Sequence, residues 1–343
     1  MKKFKFFLSK CLDIKKSDVN VDMKKVKKIL FYKIEWKIGE YITSSFVIRE
    51  IKKKYPNIQI DVFVGKSGGM EELLKSNKYI DNIFIYDRKK KLEEIKMKRK
   101  ILKNSKKEKY DIFFDFSEET EIKPRQMWFM RKINADVNVG YGKNLYKIYN
   151  KNVDKKRERM DNIWEKALEK LNIKNINKSY DVPLKDEAEK NIEKYFLENH
   201  INESIAVNFF GSINKRKISI ENAIILLNSL RRQYPEYKIN ILDSPADRKK
   251  IFEILKKNIE NVYYYENTSS IFDAISIIKN SKIIVSPDTS IIHIAEGLDK
   301  KIIAFYEKRE IEKERYVINK KNKIIIYKDE INNLDYNSLD YSI

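Results

Sequence analysis

The chain has 343 residues, 42% hydrophobic and 12% aromatic, with 72 Lys and Arg against 51 Asp and Glu. This length suits about two domains and excludes bulk disorder, and no apolar stretch approaches the roughly 18 residues that cross a bilayer. One cysteine, Cys11, and two histidines, His200 and His293, exclude a disulfide framework, a cysteine zinc site and histidine-rich metal chemistry.

Residues 1–28 hold ten Lys and three Asp, and residues 88–109 hold twelve Lys and Arg and three Glu. These two segments carry most of the net charge of +21. A one-sided basic region attracts a polyanion, either nucleic acid or an anionic membrane surface. The apolar run Phe6-Phe7-Leu8 is too short for a signal-peptide core, so a cytoplasmic protein is expected. Phe4, Phe7, Leu8, Cys11 and Leu12 share one face of a helix, with Lys2, Lys3, Lys5 and Lys10 off or beside it. Such a segment suits a membrane interface; the alternative is a tail that docks on the domain through its aromatics. The simplest reading of 88–109 is a solvated helix.

Strand-like and helix-like stretches then alternate. Strands are expected at 26–34, 58–64, 82–87, 110–116 and 137–141, and helices at 40–54, 69–76, 90–107, 121–134 and 157–172. The polar stretch 173–184 reads as a linker. After a helix at 185–199, strands are expected at 204–210, 237–243, 262–265, 282–286, 301–306 and 323–327. Helices at 220–233, 246–258, 269–280 and 291–297 separate the first five of these. Apolar strands between amphipathic helices mark a parallel sheet covered on both faces. The expected architecture is α/β, two doubly wound Rossmann-like domains facing a central cleft, with ligands beyond the carboxyl ends of the strands. Neither G-x-G-x-x-G nor G-x-x-x-x-G-K-[ST] occurs, which argues against a nicotinamide or flavin site and a P-loop. No D-x-D pair occurs either, so helix N-termini and Lys or Arg must neutralise any diphosphate.

Three segments are candidates for chemistry. In Lys33-Ile34-Glu35-Trp36-Lys37-Ile38-Gly39-Glu40, Gly39 allows tight backbone packing at the turn, and Glu40 begins a helix. Glu40 reads either as a general base for a sugar hydroxyl or as a carboxylate favoured by the helix dipole. In Ser286-Pro287-Asp288-Thr289-Ser290-Ile291-Ile292-His293, three N-cap residue types precede a helix, which makes a phosphate cradle with His293 one turn in. Ordinary capping and a core histidine are the plain alternative. The loop Gly211–Ser219 holds Lys215, Arg216 and Lys217, either a neutraliser of a leaving diphosphate or a solvated turn.

Together and in order, these segments resemble glycosyltransferase family 9, the ADP-heptose:lipopolysaccharide heptosyltransferases. KKILFYKIEWKIGEYITSSFVIREIKKKYPNIQIDVFV looks like the family's opening strand, turn and helix; YIDNIFIYD and KYDIFFDF look like its next strands. VSPDTSIIHIAEGLDKKIIAFY looks like its Asp-Thr-Gly-x-x-His-x-Ala motif. The resemblance implies a GT-B-like fold and a metal-independent inverting transfer. Glu40 takes the place of the catalytic aspartate, and Asp288, Thr289, Ser290 and His293 take the donor motif. The basic donor-binding position falls among Lys215, Arg216 and Lys217, with Lys215 and Lys217 assigned to it. The expected partners are a nucleotide-diphosphate sugar, a lipid-linked saccharide acceptor and an anionic membrane surface, with no cofactor, metal or nucleic acid. Location is expected in the cytoplasm, peripheral at the inner membrane face. Segment 1–25 is taken as a basic amphipathic extension, 26–175 as the acceptor-side domain and 176–343 as the nucleotide-sugar domain. The rivals are a non-catalytic glycan- or nucleotide-binding protein of the same fold, and a nucleic-acid-binding protein.

Overall fold

The computed structural model describes residues 2–118, 121–318 and 322–343. They form two units, Met1–Ser179 and Tyr180–Ile343. Unit 1 runs α1 (Lys2–Cys11), β1 (Lys28–Lys33), α2 (Ile38–Lys54), β2 (Gln59–Gly65), α3 (Met70–Lys75), β3 (Asn82–Tyr86) and α4 (Lys91–Lys107). It continues with β4 (Ile112–Asp115), α5 (Pro124–Ile133), β5 (Val137–Tyr141), β6 (Lys151–Val153) and α6 (Met160–Glu169). Its six strands lie in the order β3-β2-β1-β4-β5-β6, every pairing parallel. Ile29 of β1 sits between Ile60 and Ile112 of the neighbouring strands. Strands such as KILFYK and IFFD are buried along their whole length, so they read as unbroken apolar runs.

Period two sends Leu30, Tyr32 and Phe113 to one face of the sheet, where they meet Ile101 of α4, Met127, Phe129 and Met130 of α5, and Phe6 of α1. The alternate residues Phe31 and Phe114 turn to the other face, where Phe114 meets Trp164 of α6. Pro124 opens α5 at a position where its missing N–H is no loss, and Asn134 ends it with φ 51°. Residues 177–179, inside the stretch expected as a linker, are fastened to α2. The buried Arg49 guanidinium donates to the carbonyls of Asn177 and Ser179 and pairs with Glu50 at 2.9 Å.

The N-terminal segment is pinned to unit 1 rather than separate from it. Ser9 is fully buried and donates to the Ile122 carbonyl at 2.6 Å. Asp13 accepts from the Lys147 and Ile148 N–H groups at 2.9 and 3.0 Å.

Unit 2 runs α7 (Asp186–Glu198), β7 (Ser204–Val207), α8 (Ile220–Gln233), β8 (Lys238–Ile241), α9 (Arg248–Leu255), β9 (Val262–Tyr264) and α10 (Ile271–Asn280). Then come β10 (Ile283–Pro287), α11 (Ser290–Gly297), β11 (Lys301–Glu307), α12 (Lys308–Lys313) and β12 (Lys323–Tyr327). The sheet order is β12-β11-β10-β7-β8-β9, again all parallel. Numbered within each unit, both sheets have the order 3-2-1-4-5-6, so each reverses direction between its first and fourth strands. Among the described residues no helix is long and apolar enough to cross a membrane.

Candidate functional site

Glu40 and the segment Asp288–His293 each follow the carboxyl end of a strand beside the reversal point of their own sheet. In unit 1, β1 ends on Lys33 and α2 starts five residues later, which puts Glu40 in the first turn of the helix. The Lys33 ammonium, buried, stands 2.9 Å from Glu40 Oε2 and donates to the Phe116 carbonyl at 3.0 Å. Glu40 is partly shielded, its side chain 20% exposed. The favourable helix N-terminus and the ammonium act on the same carboxylate. Trp36 is buried between Tyr41 and Phe116, which fixes the turn below Glu40. Gly39 lies inside the first turn of α2 without a left-handed φ, so its place is helical and not a turn requiring glycine.

Phe116 is itself held from behind. The buried Asp115 carboxylate, at the end of β4, accepts from Tyr149 Oη at 2.6 Å, Gln126 Nε2 at 2.9 Å and the Ser117 N–H at 2.8 Å. Lys143, wholly buried, donates to Ser117 Oγ at 3.0 Å and lies 4.0 Å from Asp115. Burial and the Asp115 charge push the Tyr149 phenol well above its ordinary value, so it serves as a fixed donor. A chain of contacts thus runs from Asp115 through the 115–117 turn to Lys33 and Glu40. Lys33 is the partner of Glu40 that the sequence did not point to; its only signal is a lysine ending an otherwise apolar strand.

In unit 2, β7 is followed by Asn208, whose Nδ2 donates to Ser286 Oγ at 3.0 Å and Thr289 Oγ1 at 3.3 Å. Ser286 and Thr289 hydroxyls lie 3.0 Å apart, and Thr289 caps α11 by accepting from the Ile291 N–H at 3.3 Å. Arg216 spans to the same tip. It donates to the Asp288 carbonyl at 2.9 Å and pairs with the Asp288 carboxylate at 2.8 Å. A Cβ on Gly211 would meet Arg216 Cβ at 2.7 Å, so glycine lets the arginine's loop close this tightly. His293, buried, sits in the first turn of α11 with Tyr316 edge-on, ring centroids 6.0 Å apart.

Arg216 is therefore brought to Asp288, beside the helix tip that carries Thr289, Ser290 and His293. The other two cations go elsewhere. Lys217 donates to Asp247 at 2.8 and 3.0 Å, and Lys215 is exposed on the 3₁₀ turn Asn214–Arg216. Burial works against the Asp247 charge, but Lys217 and Lys250 hold its carboxyl below the usual range. Asn208 is the residue here that the sequence did not point to; an asparagine at a strand's carboxyl end is a weak signal on its own.

Residues 230–338, a span that includes the α11 tip, match the model of glycosyltransferase family 9 (heptosyltransferase). A putative lipopolysaccharide heptosyltransferase 4 of Escherichia coli (strain K12) is 23% identical over 304 residues, 88% of this chain and 80% of that protein. The crystal structure of a family 9 glycosyl transferase from Veillonella parvula DSM 2008 shares the fold with a TM-score of 0.72 at 15% identity, covering 90% of this chain and 88% of that one. ADP-heptose lps heptosyltransferase II of E. coli does so with a TM-score of 0.65 at 15% identity, covering 87% and 90%. Residues 230–338 thus carry the likeness to glycosyltransferase family 9, and the likeness to the two solved structures shows that this chain shares their fold.

Proposed function

We propose that the chain moves a sugar, a heptose or similar, from a nucleotide-diphosphate donor to a lipopolysaccharide or other lipid-linked saccharide, by inversion and without a metal. The observation that carries this reading is the α11 tip. There the N-terminus of α11, the Ser286 and Thr289 hydroxyls and the Arg216 guanidinium come together at the reversal point of a parallel sheet, an arrangement suited to an anionic diphosphate. The names of the E. coli relatives, for lipopolysaccharide and ADP-heptose, agree with it.

In this reading unit 2 holds the donor and unit 1 engages the acceptor. The acceptor hydroxyl oxygen bonds to C1 of the donor sugar from the face opposite the leaving group as the bond from C1 to the diphosphate oxygen breaks. The hydroxyl proton passes to Glu40, and the electron pair leaves with the nucleoside diphosphate. Lys33 holds Glu40 Oε2, and Oε1 is the oxygen assigned to the acceptor. Arg216 and the α11 N–H groups stabilise the charge that develops on the leaving diphosphate, so protein cations do what a metal does elsewhere. A water-soluble donor and a lipid-linked acceptor meet at a membrane surface, and we place the enzyme at its cytoplasmic face.

The test is nucleotide release from ADP-heptose and other nucleotide sugars with a saccharide acceptor. Glu40→Gln is expected to lower kcat about thousandfold, the usual scale for a general base, with the nucleotide-induced rise in Tm unchanged. Equal rates for the two proteins remove Glu40 from the mechanism. Nucleotide binding with no transfer to any acceptor makes the chain a non-catalytic binder.

A further inference from the structure

The helix layer over one face of the unit 1 sheet has an outer surface that the reaction does not use. α1 packs on α5 and α5 on α4, all three against one core. Their sequences hold fifteen Lys and Arg against two Glu. Helix α1 is fastened in an unexpected orientation. Its inward side carries Ser9 and Phe6, the latter edge-on to Tyr146 at 6.2 Å, and Lys10 donates to the Leu145 carbonyl. That leaves Phe4 65% and Phe7 62% exposed, with Leu8 and Cys11 beside them. The segment thus docks on the domain through Ser9 and Phe6, with its apolar face turned out. On the neighbouring α5, Trp128 is 44% exposed, with the Lys132 ammonium 6.0 Å from its ring centre. Around Trp128 opens a cavity of about 580 Å³ lined by Arg99, Lys103, Lys106, Lys109 and Lys132.

From this juxtaposition we infer that the α1–α5–α4 surface is a docking face for an anionic bilayer. Phe4, Phe7 and Leu8 enter the headgroup–acyl boundary, Trp128 sits at headgroup level, and the five-cation cavity takes the phosphate of an anionic phospholipid. Exposed aromatic and aliphatic side chains amid cations fit that interface. A nucleic acid would use the cations but has nothing to offer Leu8 on the same helix face, and so is the weaker match. The inference rests on the proposed function only in that the acceptor there is lipid-linked; it specifies the face, the residues and the lipid charge.

The chain carries its own reporter. Of three tryptophans, Trp36 and Trp164 are buried, so Trp128 dominates any change in exposure. Adding vesicles of phosphatidylcholine with about one third phosphatidylglycerol to the full chain is expected to blue-shift emission and protect it from acrylamide; pure phosphatidylcholine is not. In sedimentation, Phe4→Ser/Phe7→Ser is expected to lower partitioning about tenfold. Arg99→Gln/Lys103→Gln/Lys106→Gln should lower it on the order of a hundredfold, at roughly 1 kcal/mol per charge near the surface. Both variants should melt like the parent and keep its turnover on a delipidated, soluble acceptor. Equal partitioning onto neutral and anionic vesicles overturns the inference. So does unchanged partitioning of both variants, DNA or RNA binding at physiological salt that displaces the vesicles, or a stable dimer lost in Phe4→Ser/Phe7→Ser. If no acceptor is turned over, the proposed reaction fails while the vesicle result stands by itself.

Discussion

Unit 1 and unit 2 fold the same sheet order from different electrostatic material, one strongly basic and the other balanced. Residues 1–179 hold 46 Lys and Arg against 25 Asp and Glu, whereas residues 180–343 hold 26 against 26. The entire net charge therefore belongs to unit 1. The contrast continues inside. Unit 1 buries Lys28, Lys33, Arg49, Lys98 and Lys143 beside the carboxylates Glu50, Asp61, Asp115 and Asp161, while among the described residues unit 2 buries Asp247, Asp273, Asp288 and Glu307 but no lysine or arginine. At the equivalent reversal points, unit 1 presents a carboxylate braced by a buried ammonium. Unit 2 presents hydroxyls, amide N–H groups and a half-buried guanidinium. One topology thus places polar residues at the same strand ends twice, and in the proposed reaction the residues that follow strands one and four make one site a proton acceptor and the other an anion holder.

The largest effect that would test this contrast is expected at Asp115. Its carboxylate is buried, accepts three hydrogen bonds and lies near buried Lys143. Asp115→Ala should destabilise unit 1 by about 3–5 kcal/mol, the usual result of leaving one partner of a buried ionic network behind. Denaturant unfolding with a probe in unit 1 checks it, and a loss below about 1 kcal/mol would mean that the Asp115 network is not what holds this end of the sheet. Next is Lys33→Met, expected to lower kcat about a hundredfold because Glu40 loses the group that orients it. Nucleotide affinity, read by the rise in Tm with nucleoside diphosphate, should not move; a parallel loss of affinity would mean that unit 1 also holds the donor.

The third prediction concerns the cation triplet. Arg216→Gln should weaken nucleoside diphosphate binding roughly tenfold to thirtyfold, the scale of a charge-assisted hydrogen bond to phosphate. Lys215→Gln should stay within about twofold, and Lys217→Gln should act on stability through Asp247 rather than on affinity. Titration calorimetry of the three variants ranks them, and a larger effect at Lys215 would place the phosphate on the outer side of the loop.

That ranking also shows where the sequence stops being legible. Both sheets were readable because parallel strands are buried on both faces and so are continuous apolar runs. β6 escaped because Lys151–Val153 has three residues and no such run, and α12 because Lys308–Lys313 has a single apolar residue, Ile311, and so no apolar stripe. The α11 tip was readable because caps act through neighbours in the chain. Lys33–Phe116 and Arg216–Asp288 were not, since they join residues 83 and 72 positions apart through the register of strands one and four. The apolar stripe of α1 was visible, but its direction depended on Ser9 finding Ile122.

The smallest predicted effect asks whether unit 1 bears a standing cost for burying cations. Lys98 lies on α4 with its ammonium 5.3–5.6 Å from the ring centres of Phe129, Tyr32 and Phe63, and pairs with Glu94 at 2.6 Å. Burial lowers its pKa, with Glu94 opposing. Between that lowered value and its ordinary 10.5, the unfolded chain binds a proton that the folded chain does not, so stability rises with pH across this window. Below the window the lysine is charged in both states and the full cost is present; above it the cost vanishes. Tyr86, raised by burial, acts in the opposite direction above pH 10, where the unfolded phenol ionises first. The two are separable by difference. In unfolding measurements from pH 7 to 11, wild type should gain on Lys98→Met as pH rises toward 10.5, while the tyrosine contribution cancels between the proteins. A constant difference across that range would mean that the aromatic rings and Glu94 offset the lost hydration completely, and that unit 1 carries its interior charge without penalty.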